Sequence, residues 1–273
     1  MLVSYTIFDP TKNITALITT SVPRALQPAA AAELMRRIPE VEQVGFLEPA
    51  ALAGTALRLQ MMGGEFCGNA SLSAAVFAME RGGLSGGEAA LEVSGAEGPV
   101  RCRIAREGDH FVGTVQMPLP TRIGSAVLPP RESGRSVPAV WFPGIVHCIV
   151  PAASMSREEA ESLIRPAFPQ LCRSLRADAC GILLYDQAGG AFTPLVYVAE
   201  TNTAVWESGC GSGSAAIGVW SALTNGGSAA ELSLRQPGGV IRVGTELCGG
   251  RIRSLTITGT IRRVSEGQLE LPL

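Results

Sequence analysis

Residues 65–83, EFCGNASLSAAVFAMERGG, and residues 208–227, SGCGSGSAAIGVWSALTNGG, are two versions of one segment. Each has Cys-Gly near its start, at Cys67-Gly68 and Cys210-Gly211, runs on through small residues and closes on a glycine pair. The two cysteines lie 143 residues apart, about half the chain. The likeness continues downstream. Leu91-Glu92-Val93 ahead of Glu97-Gly98-Pro99-Val100-Arg101 parallels Leu232-Ser233-Leu234 ahead of Gly238-Gly239-Val240-Ile241-Arg242. Self-similarity on this scale marks an internal duplication.

Both segments are predicted to be helices, rich in Ala, Leu, Met and Val, with Gly82 and Gly226 as left-handed C-terminal stops. Neither has a polar face, and a helix apolar all round is buried all round. Short apolar runs flank them at 14–18, 100–104, 111–117, 195–198 and 252–257, which read as strands. The expected fold is α+β, with two pseudo-symmetric domains, each a curved mixed or antiparallel sheet wrapped around a central helix. Residues 1–117 with 258–273 would form the domain carrying Cys67, and 118–257 the domain carrying Cys210. Met117-Pro118-Leu119-Pro120 is the expected crossover. One outer amphipathic helix per half is expected at 29–37 and 157–164.

Composition excludes several classes. The 273 residues are 46% hydrophobic and 17% charged with a net charge of -2, which suits a globular chain of one or two domains. No basic block is present, which argues against nucleic acid as a partner. No run of eighteen apolar residues argues for a membrane span. Met1-Leu2-Val3-Ser4-Tyr5 lacks the charged and apolar regions of a secretory signal, so a cytoplasmic location is expected. The seven cysteines contain no C-x-x-C pair and there are only two histidines, so no metal site is expected. Lys12 is the sole lysine, in the turn Asp9-Pro10-Thr11-Lys12-Asn13, which argues against a pyridoxal phosphate Schiff base. No cofactor is expected.

Cys67 and Cys210 each fall at the first turn of a buried helix. There the helix dipole and unpaired N–H groups favour a thiolate, which predicts thiol pKa values below about 8.5. Gly68-Asn69 and Gly211-Ser212 leave backbone amides open as anion sites. If the duplication brings the two starts together, a small carboxylate would receive N–H groups from both, with a thiol on either side of its α-carbon. One thiolate would remove the α-proton and the opposite thiol would return a proton to the other face. The outcome is stereoinversion without a cofactor.

Two other readings stay open on the residues alone. The chain is a small-ligand binding module whose cysteines merely pack, or a nucleotide-binding oxidoreductase. The latter rests on Gly211-Ser212-Gly213-Ser214-Ala215-Ala216, which fits G-x-G-x-x-A, with Glu231 twenty residues on.

Cys-Gly-Asn-Ala in the first half with Cys-Gly-Ser-Gly in the second resembles the diaminopimelate epimerase family, cofactor-independent racemases and epimerases with two pseudo-symmetric domains. The resemblance covers essentially the whole chain. It implies catalytic Cys67 and Cys210, carboxylate binding at Gly68-Asn69 and Gly211-Ser212, and substrate contacts from Asn13, Gln43 and Glu200. Homodimers are common for such enzymes. The chain departs from the epimerase at Gln60-Met61-Met62-Gly63-Gly64, Ile145-Val146-His147 and Glu200-Thr201-Asn202. Groups that grip the distal amino acid end of diaminopimelate are missing there, so a different side chain is expected, since unpaired charges in a closed pocket are costly. Residues 42–46 (EQVGF), 64–70 (GEFCGNA), 115–118 (VQMP) and 236–239 (QPGG), with Trp206-Glu207, look like histidine racemases of the staphylopine type, which supply D-histidine to opine-like metallophore synthesis. Histidine is then the expected substrate, with diaminopimelate or another amino acid as the alternative. Glu42, Glu65, Glu200 and Glu207 are the candidate partners of an imidazole. His147 reads as a structural histidine and His110 as a loop residue.

Overall fold

The computed structural model describes residues 1–129, 134–200, 202–226 and 229–272. The chain divides into two compact units, Met1–Gln116 with Ile257–Leu273, and Met117–Thr256.

In the first unit the elements run β1 (Leu2–Pro10), β2 (Thr15–Ile18), α1 (Gln27–Arg37), β3 (Gln43–Glu48), β4 (Arg58–Met61), α2 (Gly68–Arg81), β5 (Gly86–Val93), β6 (Val100–Glu107) and β7 (His110–Gln116). The end of the chain's last strand, β16 (Arg251–Glu270), completes it. Neighbouring strands follow chain order from β1 to β7 and then β16, which also pairs with β1, so the strands close on themselves. Two pairs are parallel, β2 with β3 and β4 with β5, because helices α1 and α2 carry the chain back between them. Helix α2 packs against β1, β2, β3, β5, β6 and β7. Its first nine residues and Met79 are buried. Helix α1 covers another apolar layer through Ala30, Ala31 and Leu34, packed with Val3, Ile18, Val44 and Phe46. A fully buried side chain such as Leu34 contributes about 1.5–3 kcal/mol relative to its exposed state.

The second unit also alternates strands and helices and has two parallel strand pairs. It runs β8 (Arg122–Val127), β9 (Ser136–Phe142), β10 (Ile145–Pro151), α3 (Arg157–Glu159), α4 (Phe168–Leu175), β11 (Ala179–Asp186), β12 (Ala191–Val198), β13 (Thr203–Trp206), α5 (Gly211–Asn225), β14 (Ala229–Gln236), β15 (Gly239–Cys248) and the start of β16. Strands β10 and β11 are parallel across the α3–α4 segment, and β12 and β14 are parallel across α5. Helix α5 packs on β9, β10, β14 and β15.

Three local expectations need correction. The segment expected as one outer helix over 157–164 is an α turn, then a π turn at Ala160–Ile164 and a 3-10 turn at Arg165–Ala167. Pro166 lacks the N–H that a regular helix needs there, so the hydrogen-bond pattern changes pitch. Gly82 has φ −82°, and the left-handed position after α2 is Gly83 at +70°, whereas Gly226 is left-handed as expected. His110 is the first residue of β7, not a loop residue, with its Nδ1 3.1 Å from Asp109. Among the described residues no helix is long and apolar enough to cross a membrane.

Candidate active site

In the first unit Cys67 directly precedes α2 in extended conformation, and its Sγ accepts the Ala70 N–H at 3.4 Å. The sulfur takes the place that a hydroxyl or carboxylate oxygen usually fills at a helix N-cap. Cys67 is half-buried, Glu65 is exposed, and Gly68 and Asn69 are buried in the first turn. The approach to the cysteine is tied down from the end of β5. Ser94 Oγ donates to the Glu65 carbonyl at 2.8 Å and accepts from the Met61 N–H at 2.9 Å. Gly95 has φ +72°, and a Cβ there would lie 2.4 Å from the Phe66 nitrogen, so only glycine fits.

The same unit brings Asn13, Glu42 and Gln43 together beside the parallel β2–β3 pair. Asn13 is buried, its Nδ2 donates to Glu42 Oε2 at 3.3 Å, and its Oδ1 has no partner among the described residues. Burial pushes the Glu42 carboxyl up from the usual carboxylate range, aided by the charge of Asp9 and opposed by the Asn13 hydrogen bond. Gln43 opens β3, and its N–H donates to the Ile14 carbonyl at 3.1 Å.

In the second unit Cys210 directly precedes α5, again extended, with Sγ accepting the Gly213 N–H at 3.3 Å. This cysteine is buried. Its own N–H donates to Gln236 Oε1 at 2.6 Å, and Gln236 Nε2 donates to Ser214 Oγ at 3.0 Å. Gly238 N–H donates to the Ser208 carbonyl at 2.8 Å, so the end of β14 holds this helix start as the end of β5 holds the other. An open pocket of about 520 Å³ has Leu184, Phe192, Arg235 and Gln236 in its wall but not Cys210 itself. Burial pushes the Cys210 thiol well above its ordinary pKa, and the Glu207 carboxylate hydrogen-bonded beside it pushes the same way, against weaker help to the thiolate from Ser212 and the Gly213 N–H. The expectation of a lowered pKa fails at Cys210. A helix start contributes about 0.3–1 kcal/mol to an anion, whereas a buried charge without a cationic partner costs several.

A family model described as the histidine racemase CntK N-terminal domain matches residues 2–269. The chain belongs to this family. A histidine racemase of Staphylococcus aureus is 27% identical over 268 residues, covering 97% of each chain. Among solved structures, a phenazine biosynthesis protein of the PhzF family from Bacillus anthracis matches with a TM-score of 0.72 at 13% identity, covering 99% of both chains. A probable proline racemase from Agrobacterium radiobacter matches with a TM-score of 0.67 at 15% identity, covering 98% of this chain and 93% of that one. The fold is thus of the PhzF and proline-racemase kind, built on a mixed sheet, and the protein is an isomerase of the racemase class. The dinucleotide reading of residues 211–216 fails. Gly213 is small because a Cβ would meet Leu183 at 2.9 Å and the Cys210 sulfur at 3.1 Å, and the sheet is not a doubly wound parallel one.

Glu200 is exposed in the turn between β12 and β13, at the opposite end of that hairpin from Trp206-Glu207. Glu207 lies beside the Cys210 sulfur. Lys12 pairs with Asp9 at 2.6 Å in the expected turn. Among the described residues no group of three or more His, Cys, Asp or Glu is placed to hold a metal ion. Two residues that the sequence reading gave no role at the site belong to the Cys210 surroundings. Gln236 was visible only as part of a QPGG string, and its grip on Cys210 spans 26 residues. His147 is fully buried with its Nε2 2.8 Å from Ser212 Oγ, and its Nδ1 lacks a partner among the described residues, so it is not the satisfied structural histidine expected. The signal was a histidine in the apolar run 145–150, with Gly181 in another apolar run to make room for it.

Proposed function

We propose that this protein racemises histidine without a cofactor, by a two-base mechanism in which Cys67 and Cys210 are the acid–base pair. The reading takes the two units as pseudo-symmetric halves that each supply one thiol. One thiolate takes the α-proton of histidine, leaving enolate-like charge on the substrate carboxylate, and the other thiol delivers its proton to the opposite face. Product release leaves the protons exchanged between the two sulfurs, and the reverse direction restores them. Backbone amides at Gly68-Asn69 and Gly211-Ser212 would hold the carboxylate, where helix N-termini favour negative charge. Glu42, joined to Asn13 by a hydrogen bond of 3.3 Å and next to Gln43, is the imidazole partner in this reading. Glu65 and Glu200 are exposed and would contribute only at the rim, while Glu207 acts on Cys210. In this reading the D-histidine goes to opine-type metallophore synthesis in the cytoplasm.

The observation that carries the proposal is the cysteine in the cap position of both buried helices, each sulfur receiving a backbone N–H, in a member of a histidine racemase family. The test is incubation with L-histidine in heavy water without added cofactor, beside an identical incubation with diaminopimelate. D-histidine carrying deuterium at the α-carbon is expected, with diaminopimelate unchanged. Turnover of diaminopimelate alone would make the protein an epimerase, and tight histidine binding with no exchange would make it a binding module.

A further inference from the structure

His147 sits on β10 with no exposed surface, and burial holds its imidazole neutral, with the pKa down at about 3. Its ring occupies the space of a missing side chain. A Cβ on Gly181, its register neighbour on the parallel strand β11, would lie 2.2 Å from Nδ1. Nε2 lies 2.8 Å from Ser212 Oγ, and Nδ1 has no partner among the described residues. A neutral imidazole carries a single proton, on one nitrogen or the other. A proton on Nδ1 would bury an N–H donor with no acceptor, whereas a proton on Nε2 leaves only an unused lone pair there. Buried donors are orphaned more rarely than acceptors, so the proton belongs on Nε2, where it is donated to Ser212 Oγ.

That assignment fixes the next bond. Ser212 has one hydroxyl proton, and once its oxygen accepts from Nε2 that proton must point away from the ring. The Cys210 sulfur is 3.6 Å from the same oxygen. We propose that His147 is a positioning residue that turns the hydroxyl of Ser212 into a donor toward the Cys210 sulfur, steadying the thiolate left when Cys210 has given its proton to the α-carbon. No net proton moves through His147, which remains neutral throughout. The inference rests on reading Cys210 as one of the two acid–base thiols.

Two measurements test it. The chain has only two histidines, so nitrogen-15 labelling of histidine with long-range proton–nitrogen correlation, assigned with a His110→Gln variant, reports the tautomer of His147 directly. A proton on Nε2 and a bare Nδ1 are expected, and the opposite tautomer overturns the proposal. In a double-mutant cycle, His147→Leu should lower kcat about tenfold, the size of one lost hydrogen bond in the transition state. In a Ser212→Ala background it should cost nothing further, and His147→Gln, which keeps an N–H near the Nε2 position, should recover most of the loss. Equal losses from His147→Leu in both backgrounds would show a merely structural role and overturn the proposal. If His147→Leu does not fold, the tautomer and the Gln variant decide. Full activity in Cys210→Ser would instead remove the parent reading, while the tautomer measurement does not depend on activity.

Discussion

Cys67 and Cys210 each cap the start of a buried helix, α2 in the first unit and α5 in the second, yet the protein holds them differently. Around Cys67 the approach is fixed by close backbone packing, with Gly95 against Phe66 and Ser94 bridging Met61 and Glu65. The thiol itself is half-buried. Around Cys210 the hold is polar and enclosing, with Gln236 on its N–H, Ser212 and Glu207 on its sulfur, and His147 behind Ser212. The cap geometry is alike at the two helix starts and the supports differ.

The largest effect should come from breaking the tighter backbone contact. Gly95→Ala would force a left-handed residue and a Cβ into the Phe66 backbone, costing about 2–3 kcal/mol of stability. Thermal unfolding should show a clearly lower Tm, and alkylation of Cys67 should speed up with Cys210 unaffected. An unchanged Tm would mean that this loop is not held as described. A smaller effect should be confined to the other thiol. Burial comes first among the causes that raise Cys210, and the charge of Glu207 adds to it. Glu207→Gln removes that charge, so the thiol should release its proton at lower pH. The limb of the pH–rate profile governed by Cys210 should then move toward lower pH. A limb that stays in place or moves upward would show that Glu207 does not act on this sulfur.

Much of the fold was legible because it rests on local signals. Apolar residues on every side of 68–81 and 211–225 require burial on every side, and both segments are helices that start directly after their cysteines. The outer segment at 157–164 misled because Pro166, just beyond it, changes the hydrogen-bonding pitch of a stretch that looks regular. The site was half legible. Cysteines at helix starts were visible, but the ionisation of Cys210 was not, because burial and Glu207 outweigh the helix dipole there and neither can be read from spacing. Gln236 and the His147–Ser212 contact join strands to a helix across 26 and 65 residues, and such partners carry no periodic mark in the sequence.

The most direct test of the two-thiol account is to measure racemisation from both enantiomers of histidine in Cys67→Ser and in Cys210→Ser, with folding checked by thermal melting. Each substitution replaces a thiol by a far weaker acid of similar shape, and each should lower the rate about a thousandfold from either direction. A native rate in one variant, from either enantiomer, would contradict the account.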